Sequence, residues 1–150
     1  MKTKRIVFIL GSALILSLLS CKSGTTPDTS DTLAAYSGVL QVTGVYDSGA
    51  GTMTFAFTYE LNNTNNLGSD VNSVVHTLYY QSSVVGQQTY YPATSVRIPA
   101  GGSYSWEITE EYDYSSYFPD NGMVAITLTD DNGNEQTFST GSVAILWTMI

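Results

Sequence analysis

The sequence predicts an all-β fold, an antiparallel β-sandwich of seven or eight short strands, and three observations predict it. Apolar residues between 33 and 150 recur with period two, so that one face of each segment is apolar and the other polar. Clusters of Gly, Asn, Asp, Ser and Pro punctuate these segments at the spacing of a sandwich. No stretch of ten or more residues in that region carries an apolar stripe at helical spacing.

In chain order, Leu40 and Val42 alternate with Val39, Gln41 and Thr43 ahead of the turn Asp47-Ser48-Gly49-Ala50-Gly51. The clearest strand follows. Met53, Phe55, Phe57, Tyr59 and Leu61 share one face, and Thr52, Thr54, Ala56, Thr58 and Glu60 the other. Asn62 to Asp70 reads as a surface loop, because Asn, Gly and Asp tolerate positive φ and bond their own backbone. Val74, His76, Leu78 and Tyr80 then form one face of a strand over 71–81, and a shorter strand is expected over 84–91 with Pro92 at its edge. Pro99-Ala100-Gly101-Gly102 separates two further strands, the second with Tyr104, Trp106 and Ile108 inward. The acidic, aromatic stretch from Thr109 to Gly122 is expected to be irregular. Val124, Ile126 and Leu128 mark the next strand. Asp131-Asn132-Gly133-Asn134 reads as a type I′ hairpin turn, and Val143, Ile145 and Trp147 are the last inward positions.

The amino-terminal segment differs in kind. Met1-Lys2-Thr3-Lys4-Arg5 is basic, Ile6 to Leu19 is a fourteen-residue apolar run, and Leu18-Leu19-Ser20 precedes Cys21, the single cysteine. A bilayer-spanning helix needs about twenty residues, so the run fits an exported, cleaved leader better than a membrane span. The segment resembles the signal peptide and lipobox of bacterial lipoproteins. That resemblance implies diacylglyceryl transfer to the Cys21 sulfur, cleavage after Ser20, and acylation of the new amino terminus by a fatty acid such as palmitate. It implies a membrane anchor on an exported protein, with Lys22 after the cysteine favouring the outer membrane, facing periplasm or surface. Residues 22–32 hold no large apolar side chain, so 21–32 is expected to be a flexible tether with a reach of roughly 18 Å. The expected organisation is thus leader 1–20, lipidated cysteine and tether 21–32, and one domain over 33–150.

Two segments, Val96-Arg97-Ile98-Pro99-Ala100-Gly101-Gly102-Ser103-Tyr104-Ser105-Trp106 and Ile126-Thr127-Leu128-Thr129-Asp130-Asp131-Asn132-Gly133-Asn134-Glu135, are similar to turns and hairpins of immunoglobulin-like and fibronectin type III-like modules in bacterial envelope proteins. The resemblance implies an immunoglobulin-like sandwich used for binding or spacing, and it brings no catalytic residues. No cysteine pair bridges the sheets, and the strand over 71–81 has no tryptophan.

Charge narrows the function classes. The chain has five basic and thirteen acidic residues. Lys2, Lys4 and Arg5 lie in the leader, which leaves two against thirteen, a net of −11. Such a chain lacks the cations that nucleic acid or anionic lipid demands, so attachment to a membrane must rest on acyl chains. Catalytic groups are scarce. His76 is the single histidine, no Gly-x-Ser-x-Gly segment occurs, and a lipidated Cys21 is no nucleophile, so a non-enzymatic role without cofactor is expected. Glu110, Glu111 and Asp113 are weak candidate calcium ligands, better read as solvated carboxylates. Eleven tyrosines exceed what a small core needs. Tyr112, Tyr114, Tyr117 and Phe118, then Tyr79 and Tyr90, are therefore the candidate contact residues, since tyrosine offers large contact area at low entropic cost. The expected function is a lipid-anchored envelope module binding an envelope or extracellular protein, or serving structurally; the alternative is a small carbohydrate-binding module that stacks sugars on the same tyrosines.

Overall fold

The computed structural model of the protein describes residues 35–113 and 117–150. The leader, Cys21, the tether and Tyr114 lie outside the described residues. Eight strands follow one another: β1 (Tyr36–Asp47), β2 (Thr52–Asn63), β3 (Ser69–Tyr80), β4 (Ser83–Tyr90), β5 (Val96–Ile98), β6 (Ser103–Asp113), β7 (Asn121–Asp130) and β8 (Glu135–Met149). Their lateral order is β4-β3-β7-β8-β1-β2-β6, with β5 also on β3. The order folds into two layers, β1-β2-β6 against β4-β3-β7-β8, an all-β sandwich with the strand arrangement of the immunoglobulin class.

One pairing departs from the expected antiparallel scheme. The second half of β8 leaves β7 and runs parallel to β1, with Val42 to Tyr46 opposite Ile145 to Met149. A bulge precedes the change of partner, which comes after Ala144. Thr140 and Gly141 together face the single residue Val124, Gly141 takes a φ of 76°, and Thr140 Oγ1 bonds both the Val124 amide and carbonyl at 3.2 Å. This ladder joins the two layers along one side of the sandwich, leaving β4 and β6 as the free edges on the other.

Alternation does most of the building. In β2, Met53, Phe55, Phe57, Tyr59 and Leu61 are buried, and in β7 so are Val124, Ile126 and Leu128. Each such side chain contributes about 1.5–3 kcal/mol on leaving water. The layers approach closely at Gly122 on β7, where an added Cβ would sit 2.9 Å from a Val42 methyl on β1. Only glycine fits that approach.

Two expectations are corrected. Thr109 to Asp113 is regular strand rather than irregular chain, so β6 pairs with β2 from Ser103 to Asp113 and carries Glu110 and Tyr112 on its inward row. The hairpin after β7 is not type I′, because Gly133 (φ 82°) has positive φ and Asn132 does not. Buried Asp130 organises it instead: Asp130 Oδ1 accepts the amides of Asn132 and Asn134 at 2.9 Å, and Gly133 N–H donates to the Asp130 carbonyl at 2.9 Å. Those bonds select a three-residue loop with glycine at the left-handed position. The two-residue turn with both φ values positive lies between β3 and β4, at Gln81 (47°) and Ser82 (68°). Neither is the residue type such a turn favours. Ser82→Gly is therefore predicted to raise stability by up to about 1 kcal/mol, read as a higher urea midpoint at unchanged slope.

Candidate binding surface

The seam between the free edges is closed by a buried polar cluster centred on Glu110. His76 Nδ1 lies 2.7 Å from Glu110 Oε1, the Tyr90 hydroxyl donates to Oε1 at 2.6 Å, and the Tyr112 hydroxyl donates to Oε2 at 2.6 Å. These groups come from β3, β4 and β6, so one carboxylate ties the two layers together on the side that has no backbone ladder. The side chains of His76 and Glu110 are 0 % and 3 % exposed. Aromatic rings wall the cluster: Phe57 stacks on the imidazole at 4.2 Å, and Tyr59 meets it edge-on at 5.8 Å.

Burial pushes the Glu110 carboxyl pKa up, but the bonds from His76, Tyr112 and Tyr90 outweigh it and hold the group below its ordinary value of 4.5. The same burial, reinforced by Glu110, raises the Tyr90 and Tyr112 hydroxyls, which stay protonated and donating. Tyr59 Oη and His76 Nε2 are buried with no hydrogen-bond partner in the protein, a cost of about 1–3 kcal/mol each that the cluster must offset.

The sequence-derived candidates divide accordingly. Tyr90 and Tyr112 belong to the seam and are not surface contacts: Tyr90 is buried, and Tyr112 is half-buried with its ring against Phe55. Phe118 is half-buried between Tyr46 and Trp147, and the Trp147 indole N–H donates to the Pro119 carbonyl at 2.9 Å. Tyr117 is 54 % exposed, with its ring 5.1 Å from Tyr80. Tyr79 is half-buried over a shallow depression lined by Ser82, Asn121, Met123 and Ser142. Tyr117 thus lies exposed and Tyr79 half-exposed at the surface, and Tyr114 lies outside the described residues. The candidate calcium ligands do not converge, since Glu110 points inward while Glu111 and Asp113 are exposed; among the described residues no group of three or more His, Cys, Asp or Glu is placed to hold a metal. His76 is a core residue with no access to solvent.

The surface that the candidates missed is defined by missing charge. From Val71 to Val96 there is no Asp, Glu, Lys or Arg, and none lies from Gln136 to Met149 or from Asn121 to Thr129. These stretches build most of the β4-β3-β7-β8 layer, with charge confined to one end at Asp70, Asp130 and Glu135; the rest of its outer face is Ser, Thr, Asn, Gln, Ala and Val with Tyr79 and Met123. At its free edge, β4 exposes Val84 (57 %) and Val85 (39 %). The other free edge, β6, points Glu107, Glu111 and Asp113 into water, the usual protection against strand-to-strand association. Arg97, the one Lys or Arg among the described residues, is engaged by Asp131 and by Asp70 at 3.4 Å, so no cation is free to hold an anionic ligand.

Glu110→Gln keeps the shape and removes the charge that three donors share. It is predicted to cost 2 kcal/mol or more, on the order of a broken buried pair. Because the folded carboxyl titrates below 4.5, its contribution is complete above that pH and is lost as pH falls through the folded value. The stability gap between the two proteins, measured by urea unfolding, should therefore narrow below about pH 4.5 and stay constant from pH 5 to 7.

No protein-family model and no curated protein matches the chain. Among solved structures, the chain is similar to a Northeast Structural Genomics Consortium target, SoR45 (TM-score 0.55, 10 % identity, 75 % of this chain and 86 % of that one). It is similar to the same degree to a protein designated ApaA from Bordetella pertussis (TM-score 0.55, 11 % identity, 75 % of this chain and 94 % of that one). At these identities the likeness establishes the sandwich fold alone.

Proposed function

We propose that this protein is a lipid-anchored module of the bacterial envelope that acts by binding a protein partner rather than by catalysis. The observation that carries this reading is the charge-poor β4-β3-β7-β8 layer, which has carboxylates only at the Asp70, Asp130 and Glu135 end and finishes in an uncharged, unprotected β4 edge, in a chain that is otherwise strongly acidic. Acidic residues keep the rest of the surface solvated and discourage indiscriminate contact. The charge-free part of the layer, ending in the exposed valines of β4, is where an uncharged partner surface docks with least desolvation cost. The non-catalytic part of the reading is supported by His76, whose one acid partner is buried with it, out of reach of a substrate. The carbohydrate-binding alternative loses Tyr90 and Tyr112 to the seam and retains Tyr79 and Tyr117.

Anchoring is supported by the Leu18-Leu19-Ser20-Cys21 sequence and is separately testable. In detergent phase partition the native chain is expected in the detergent phase and Cys21→Ala in the aqueous phase; equal partition would contradict lipidation. Binding is tested by sedimentation of gently solubilised membranes. The protein is expected to migrate in an assembly well above a single lipidated chain in its detergent micelle, and migration as a free monomer would contradict the binding role.

A further inference from the structure

We propose that the β4 edge receives an extended strand from another protein, uncharged where it pairs and flanked by lysine or arginine. The inference rests on the binding-module reading and names the partner's chemistry. β4 pairs with β3 along one side, and no described strand covers its other side, so a row of backbone donors and acceptors is open to an added strand. The bulge at Val85 disturbs only the turn end, and Gly86 to Tyr90 keep regular register with Val74 to Leu78.

Charge chooses the occupant. An added strand lies along the side of the sandwich where β6 runs next to β4, since Tyr90 reaches Glu110 and a Cβ on Gly86 would lie 3.2 Å from the Tyr112 ring. Exposed Glu107, Glu111 and Asp113 of β6 form an acidic ridge there, and Asp120 caps the β3–β4 turn by accepting the Gln81 amide at 3.1 Å. Flanking cations on the guest would meet these carboxylates, and a central charge would be placed against Val84, Val85 and Gln87. A second copy of this chain would bring two acidic ridges together instead.

The test adds synthetic ten-residue peptides to the full chain and follows backbone amide exchange. One peptide alternates threonine and valine between paired lysines, and the other carries glutamates in place of the lysines. The lysine-flanked peptide is expected to slow exchange of alternate amides within Ser83–Tyr90 at least tenfold, with the glutamate-flanked peptide binding at least tenfold more weakly. Thr89→Lys, with unchanged exchange in β7, should weaken the lysine-flanked peptide at least fivefold. Protection on β6 in place of β4, equal binding of both peptides, or protection of β4 that grows with protein concentration without peptide would overturn the proposal. So would the absence of protection with either peptide, and sedimentation in a large assembly would then still uphold the binding role.

Discussion

The buried, ionised carboxylate of Glu110 is the constraint on which the closed shape of this sandwich depends. One side is joined by backbone, where β8 runs parallel to β1. The other has only side chains, and there Glu110 takes three donors from β3, β4 and β6. An immunoglobulin domain with a cysteine pair gains an inter-sheet crosslink by covalent chemistry. Here the chain has a single cysteine, outside the sandwich, and the cross-layer tie is electrostatic. Such a tie is directional and costly to break on one side only, because removing a partner leaves a charge in a low-dielectric interior.

The seam also sets what the surface offers. By drawing Tyr90 and Tyr112 inward it holds β4 close to β6, which sets a neutral edge beside an acidic one. The uncharged β4 edge and the acidic ridge of β6 are separate in sequence and adjacent in space. That adjacency is what distinguishes a partner strand with basic flanks from one without.

Most of the fold was legible because period two is a direct imprint of burial: the inward rows of β2 and β7, and of β8 from Val143 to Trp147, follow the alternation residue by residue. The legible pattern broke at Glu110. A carboxylate at an inward position looks like the end of a strand, although Trp106, Ile108, Glu110 and Tyr112 continue one row. The signal that it was inward was available: a lone histidine on the inward row of β3 needs a buried acid partner, and Glu110 is in phase with Ile108. The hairpin at Asp131-Asn132-Gly133-Asn134 was misread for a different reason, since the buried Asp130 side chain supplies the acceptors that the turn type follows. Exposed tyrosine could not be told from buried tyrosine by composition, because a hydroxyl with a carboxylate partner is as well satisfied inside as in water. The charge-free stretch from Val71 to Val96 was in plain view, and its meaning waited on knowing that β4 lies at an edge.

The most direct test of the seam is a double-mutant cycle between Tyr90 and Tyr112, which donate to different oxygens of the same carboxylate from the two free edges. Tyr90→Phe and Tyr112→Phe should each cost about 1.5–3 kcal/mol in urea unfolding at pH 7, as hydrogen bonds to a buried charge do. The double variant should depart from the sum of the singles by 0.5 kcal/mol or more, on the scale of directly coupled groups. Small, strictly additive effects would mean that the two edges are held together by apolar packing alone, and the central role of Glu110 would be wrong.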